Sequence, residues 1–495
     1  MKPAMPQRLR PLVAACLAGW LSACSLIPQH ELPPSPVAAQ WPVDAGAVTA
    51  GAAAAADLPW QRFVQDDQLR ELIALALDGS RDLRSAVLAI EQSRAQYQIR
   101  RADEWPTVNA SGNASRSAPN AYAAIGGPRV ASTYTVGVGL SAWEIDFFGR
   151  IDALKEAALA QYLATTEARK SAQISLIAAV SSAWLQLKTD TALLALAERT
   201  LATREQSLKL TQLRLDNGAS SALDLRQAQS LAATARATRA QQQRLRAQDI
   251  NLLALLAGQP LPERLIPAIP GHSDPAAPGG LPAFNDVPAG LPSDLLLRRP
   301  DIRAAEQQLV AAEANIGAAR AAFFPRITLT ASLGRISTAL DGLFGSGGAG
   351  SWSFVPGVTL PIFDNGRNQA NLESAEVARA LAVTSYERTV QTAFREVSDA
   401  LAGRATYAEQ IAAMEAQAKA DRDRFRLSDL RYRNGIASYL DQLDAERSLF
   451  ATEQQLAQLR LAQRANEVQL YKALGGGWTE PDAPMATAGA AQRAP

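Results

Sequence analysis

Tyr134 to Arg150 reads YTVGVGLSAWEIDFFGR, and the periods inside it and just beyond it decide the fold. Tyr134, Val136, Val138 and Leu140 alternate with Thr135, Gly137, Gly139 and Ser141. Strict period two predicts a strand with one apolar face and one small, polar face. Asp146-Phe147-Phe148-Gly149-Arg150 then leads into a run with neither Pro nor Gly until Gly218. Within that run Val180, Leu187, Leu194, Leu201, Leu208 and Leu215 fall on every seventh residue, the seam of a coiled coil. At ~1.5 Å per residue, a helix from Arg150 to Leu215 reaches about 99 Å. After Asn217-Gly218 a second helix is expected from Leu223 to Ala257. A separate helix from Asp82 to Trp105 is stopped by Pro106. Stacked end to end, these two reach about 89 Å and match the long one.

The same plan occurs twice. Asp82-Leu83-Arg84-Ser85-Ala86 resembles Asp301-Ile302-Arg303-Ala304-Ala305, and Trp105-Pro106 resembles Phe324-Pro325. Asp146 to Arg150 pairs with Phe363-Asp364-Asn365-Gly366-Arg367, Asn217-Gly218 with Asn434-Gly435, and Leu223-Asp224 with Leu440-Asp441. The last three pairs share an offset of 217 residues, and the first two sit at 219. An offset held to within two residues over more than a hundred residues identifies a duplicated unit. The second unit has its own alternating strands, Ile327, Leu329, Ala331 and Leu333 in one, Phe354, Val358 and Leu360 in the other. The expected organisation is a first repeat over 60–260, with strands at about 106–117 and 132–143 and a hairpin tip at 216–224. A Pro/Gly-rich linker over 261–292, without regular structure, leads to a second repeat over 293–478. That repeat has strands at about 326–336 and 352–361 and a tip at 433–441; a disordered tail over 479–495 closes the chain. The fold class is mainly α with a small β part.

The chain has 495 residues, with 49 Lys+Arg against 48 Asp+Glu. That balance argues against a nucleic-acid partner, since nothing would drive counterion release. Only 2 His and 2 Cys are present, which excludes most histidine-based catalysis and Cys-rich zinc sites. His30 and His272 lie in Pro-rich stretches and read as solvated loop residues. The carboxylates read as helix-surface charges paired with Arg. There is no phosphate loop and no H-E-x-x-H motif, so no enzyme, no metal and no cofactor is expected. Residues 1–23 form a targeting segment, with Lys2, Arg8 and Arg10 ahead of a short apolar run. Leu21-Ser22-Ala23-Cys24 resembles a lipobox, which makes Cys24 the acylated first residue of a 24–59 anchor and tether; an ordinary secretory signal with an incidental Cys is the alternative. Ser25 after the Cys implies the outer membrane by resemblance to lipoprotein sorting signals.

No later stretch is long and apolar enough for a membrane helix, so contact with a bilayer core falls to the strands. A four-stranded sheet in lipid has open edges, and each unpaired backbone group there costs several kcal/mol. Membrane barrels begin at about eight strands, so one copy cannot close. Three copies supply twelve strands and twelve helical columns around a watery lumen. Trp105, Trp143, Phe147, Phe148, Phe323, Phe324 and Phe363 cluster at the strand–helix junctions, as interfacial anchors or as junction packing.

Leu291 to Glu306 (LPSDLLLRRPDIRAAE), Ala318 to Pro325 (AARAAFFP) and Arg431 to Phe450 (RYRNGIASYLDQLDAERSLF) resemble the TolC-like outer-membrane factor family, in its NodT-type efflux lipoprotein branch. The resemblance implies a homotrimer with a β-barrel in outer-membrane lipid and a periplasmic α-barrel. It implies two partners, a periplasmic adaptor (membrane fusion) protein and an inner-membrane pump, usually a proton-driven multidrug type. The implied function is passive exit of drugs or other toxic small molecules; the alternative is the exit channel of a type I protein secretion system. Asn217, Gly218, Ser220, Ser221 and Asp224, with Asn434, Gly435, Ser438 and Asp441, form the two tips. Their residue types suit tight turns and helix caps, and the resemblance assigns them to adaptor docking. Asp421, Phe425 and Asp429 fall at i, i+4 and i+8 on one helix face. By resemblance an acidic ring at Asp429 constricts the periplasmic end; a solvated coiled-coil flank is the other reading. Phe425 shares the seam register of Leu208. Gln212 stands at the matching place in the first repeat, so a single acidic ring is expected.

Overall fold

The computed structural model describes residues 26–42, 57–118, 130–269, 280–288, 290, 292–345 and 347–478. Cys24, His272 and the tail from 479 lie outside the described residues. The main elements are α1 (Asp67–Gly79), α2 (Arg81–Ala102), β1 (Val108–Ser117), β2 (Ala131–Ile145), α3 (Arg150–Asp216), α4 (Ala222–Ala257), α5 (Pro300–Ala321), β3 (Arg326–Ser337), β4 (Ala349–Thr359), α6 (Arg367–Arg433) and α7 (Tyr439–Ala473). They fall into two compact units. One holds Ala89–Thr166 and Ala304–Glu387 with the N-terminal stretch up to Pro34; the other holds Ser35–Leu88, Glu167–Arg303 and the chain from Arg388.

The first unit is built on one antiparallel sheet in the order β1-β2-β3-β4. Registry sorts its side chains by chemistry. Val138 pairs with Ala110 and Leu333, and Leu333 with Trp352; one residue along, Gly139 pairs with Asn109 and Ser332, and Ser332 with Ser353. One face is mainly Val, Leu, Ile, Ala, Phe and Trp, with Arg335 among them, and the other is mainly Asn, Ser, Thr and Gly, with Ile336 and Val355 among them. On that second face Gly137 and Gly334 sit opposite each other. A Cβ at Gly137 would meet the Leu333 carbonyl oxygen at 2.6 Å, and one at Gly334 would meet the Val136 carbonyl oxygen at 2.3 Å. Only glycine lets the two backbones approach so closely.

The alternation that starts at Tyr134 breaks after Leu140. A bulge shifts the register between Leu140 and Trp143, Ala142 takes a left-handed φ of 51°, and its N–H donates to Thr330 Oγ1 at 3.0 Å. The bulge turns Trp143 back to the apolar face, opposite Leu329. Period two alone does not foretell this, because the bulge uses Ala where Gly is the usual signal.

Both strand-to-helix turns use one device. Asp146 accepts from the Arg150 and Asp152 amides at 2.7 and 2.8 Å, and Asp364 accepts from the Gly366 and Asn368 amides at 3.0 and 2.8 Å. Gly149 and Gly366 take positive φ angles of 71° and 82°. α2 ends at Ala102, three residues before the expected Trp105. There the amides of Asp103, Glu104 and Trp105 bond three residues back. The following Pro106 cannot continue the ladder, so the last turn tightens.

In the second unit the α3 seam is buried at Val180, Leu187, Leu194 and Leu201 and half-buried at Leu208 and Leu215. The linker departs from the expectation of no regular structure. It carries a short 3₁₀ turn at Glu263–Leu265 and a β-bridge from Phe284 to Val64. Phe284 stacks on Phe63 at 4.9 Å, and Phe63 on Tyr471 at 3.9 Å. A two-residue bridge is too short to leave a period in the sequence.

His30 lies in a loop and is exposed, as expected, and its Nδ1 also reaches Glu313 Oε2 at 2.8 Å. One further expectation is corrected: not all helix carboxylates are surface charges paired with Arg. Asp190 on α3 is buried and hydrogen-bonded to Asp249 on α4.

Candidate functional site

Three places carry the functional reading: the sheet, the two hairpin tips and the α6 segment from Asp421 to Asp429. Among the described residues, most side chains of the sheet are exposed or half-buried. Every residue of β1 is exposed, and on the apolar face Leu333, Trp352 and Val358 are 65, 76 and 69% exposed. An apolar face this open marks a surface meant for lipid or another protein. The opposite face offers hydroxyls and amides, including a Ser332–Ser353 hydroxyl pair at 2.7 Å. β1 and β4 remain edge strands with one side unpaired. At the junctions Trp105, Phe147, Phe323, Phe324 and Phe363 are all exposed, and Phe148 stacks on Phe324 at 4.9 Å.

The tips are built identically in both repeats. At the end of α3 the Ala219 amide bonds the Arg214 carbonyl at 2.7 Å, and the Gly218 amide bonds Leu215 at 2.9 Å; at the end of α6 the Ile436 and Gly435 amides do the same with Arg431 and Tyr432 at 2.9 and 3.0 Å. This double bond is the Schellman ending, and its left-handed position is filled by Gly218 and Gly435, each at φ 72°. Asn217 and Asn434 donate to the carbonyls four residues back, both at 2.7 Å. Ser221 and Asp224 make a capping box for α4, and Ser438 and Asp441 make one for α7. Ser220 donates to Asp224 at 3.0 Å. The backbone and side-chain bonds from Ser221 hold the Asp224 carboxyl below its ordinary range.

The polar tip residues are thus occupied with turning the chain. Beside them, among exposed charged residues such as Arg214, Asp216, Arg431 and Arg433, stand the exposed apolar residues Leu213, Leu223, Leu430, Ile436 and Leu440. Sequence reasoning passed over these, although Leu213 and Leu430, and Leu223 and Leu440, keep the 217-residue offset and could have been found by it. The tips meet where the Arg214 guanidinium lies 4.9 Å from the Tyr432 ring centre and bonds its hydroxyl.

Asp421, Phe425 and Asp429 do share a face, and that face turns toward α7. Asp429 accepts from Gln442 Nε2 at 2.9 Å and pairs with Arg433 at 2.8 Å. Asp421 accepts from the Thr452 hydroxyl at 2.7 Å. Phe425 lies in a groove of about 1050 Å³ lined also by Arg422, Phe450, Arg460 and Arg464. The Asp429 carboxylate is therefore charge-compensated within its own chain. Among the described residues no cluster of metal-ligating side chains is present, and no helix is long and apolar enough to cross a membrane.

A sequence model of the family described as outer membrane efflux protein matches residues 72–259 and 291–476, one stretch per repeat. The toluene efflux pump outer membrane protein TtgC of Pseudomonas putida is 46% identical over 472 residues, covering 95% of this chain and 96% of the relative. The antibiotic efflux pump outer membrane protein ArpC of Pseudomonas putida matches with the same identity and coverage. Among solved structures, the open state of the MtrE outer membrane channel of Neisseria gonorrhoeae superposes with a TM-score of 0.80 at 40% identity, covering 92% of this chain and 99% of that one.

Proposed function

The chain belongs to the outer membrane efflux protein family, and from that premise we propose that it works as the trimeric exit duct of a tripartite pump for small toxic molecules. It is an outer-membrane protein and not an enzyme. The observation that carries the proposal is the sheet: one mainly apolar face, one mainly small and polar face, and two unpaired edges. In hydrocarbon those edges must be paired by another copy. The helices support the same closure. α5 has α3 on one side, through Arg303 and Glu167 at 3.5 Å, and α6 on the other, through Glu313 and Arg379 at 3.0 Å. Its counterpart in the first repeat, α2, buries only Ser93. A second copy against α2 repeats the packing that α5 already has.

The relatives are named for toluene and antibiotic efflux, which favours apolar or amphipathic small molecules as cargo. The periplasmic adaptor docks on the two tips, and their exposed leucines supply the contact. An inner-membrane pump of the proton-driven type supplies the driving force. Asp429 narrows the periplasmic end, with Asp421 and Phe425 setting the face it stands on. Cys24 carries the acyl anchor. Deleting the gene in its native host tests the reading. Susceptibility to apolar antibiotics and solvents should rise severalfold while the amounts of secreted proteins stay unchanged. Unchanged susceptibility overturns it.

A further inference from the structure

The mainly apolar face of the sheet carries two arginines, and both stand toward the end away from the helices. β1 follows α2, β3 follows α5, and β2 and β4 lead into α3 and α6, so Ser117, Ala131, Ser337 and Ala349 mark the far end. Registry puts Arg335 of β3 in one row with Val136 and Gly112. Arg116 of β1 lies four residues beyond Gly112 and therefore shares its face. From Arg335 toward the helices that face runs Leu333, Ala331, Leu329 and Ile327. Arg335 is the ninth residue counted from Ile327, and a membrane strand takes about 9–11. An arginine facing lipid is costly at the midplane and cheap where the hydrocarbon ends. Arg335 thus marks the outer edge of the apolar band, with Trp352 opposite Leu333 just inside it.

The Arg335 guanidinium is held in place with half of it left over. Its Nη2 donates to the Gly345 and Gly348 carbonyls of the β3–β4 loop at 2.8 and 2.9 Å. Among the described residues its Nε and Nη1 have no partner, and the exposed Arg116 has none at all. The acid of that loop, Asp341, accepts from the Gly342 amide at 2.9 Å. The free donors of a fixed guanidinium form a fork that suits a phosphate. Leu340 and Phe344 of the same loop are 63 and 75% exposed, so apolar surface continues past the charge. With strands ~4.8 Å apart and a rise of ~3.3 Å per residue, the two arginines stand roughly 10 Å apart across the sheet and roughly 13 Å along it. That separation suits a rigid head with two phosphates better than a single phosphate.

We propose that Arg335 and Arg116 bind the phosphates of lipid A, the acylated disaccharide bisphosphate of the outer leaflet, whose chains lie on the apolar face below them. This rests on the duct reading, in which the helices are periplasmic and this face meets lipid. The test is native mass spectrometry of the full-length protein in detergent, titrated with bisphosphorylated lipid A, with lipid A stripped of both phosphates, and with phosphatidylglycerol. Conductance in planar bilayers is recorded in parallel. The wild type should hold bisphosphorylated lipid A about tenfold more tightly than either other lipid, the factor expected of charge-assisted bonds to phosphate. Arg335→Gln with Arg116→Gln should erase that preference. Arg116→Gln alone, which breaks no bond among the described residues, should lower it severalfold, with conductance unchanged in both variants. Equal binding of the two forms of lipid A, or an undiminished preference in Arg116→Gln, overturns the site while the conductance leaves the duct standing. Phosphatidylglycerol held as tightly as lipid A overturns the glycolipid assignment. A wild type that conducts no current removes the duct and this lipid-facing site together.

Discussion

Asp249 keeps a proton where most carboxyls have lost theirs. Burial pushes its pKa up to about 7, helped by the hydrogen bond and charge of Asp190 beside it. The folded chain therefore holds more protons than the unfolded chain between about pH 4 and 7, and stability falls as pH rises through that window. Asp249→Asn should remove the fall. Its thermal midpoint should exceed that of the wild type at pH 8 and approach it at pH 4, measured as melting curves of the purified protein across that range. A midpoint difference independent of pH would contradict the shared proton. Nothing in the sequence marks this pair, since the two acids are 59 positions apart and look like ordinary helix acids. The second repeat has Tyr407 and Asn466 at the corresponding places, so even the duplication gives no hint.

At the scale of elements the repeat spells out the tips and leaves their purpose divided. Gly, Asn, Ser and Asp at matching places predict a turn and a cap, and each of those residues is used in that way. The exposed apolar set beside them is the proposed contact for a partner. Ser221→Ala removes one cap, so it should cost about 1 kcal/mol of stability and leave adaptor binding intact. Leu430→Ser with Leu440→Ser should do the reverse, weakening adaptor binding severalfold in a pull-down while the melting temperature holds. Equal loss of adaptor binding in both variants would return the docking role to the polar residues. The strands follow a similar division. Alternation identifies the faces, and the bulge at Ala142 appears only when β3 brings Thr330 opposite it.

At the scale of the whole molecule the proposed gate turns on one carboxylate. Asp429 is joined to Arg433 and Gln442 in its own chain, so the proposed ring of three would carry compensated charges rather than three bare carboxylates. Asp429→Ala should leave three unpaired Arg433 side chains that repel one another. The expected result is a larger leak conductance in planar bilayers and a shift of ion preference away from cations. An unchanged current removes Asp429 from the gate.

The sequence by itself determined the duplication, the long seamed helices, the two-faced strands and the need for further copies. Each of these is periodic or repeated, and a period is a property of the chain that survives without a partner. Tertiary structure decided which residues meet across long separations: His30 with Glu313, Phe284 with Val64, Asp190 with Asp249, Asp429 with Gln442. It also decided that the tip polar groups are consumed internally. Such contacts depend on where separate elements come to rest, and a single pair of residues leaves no period along the chain.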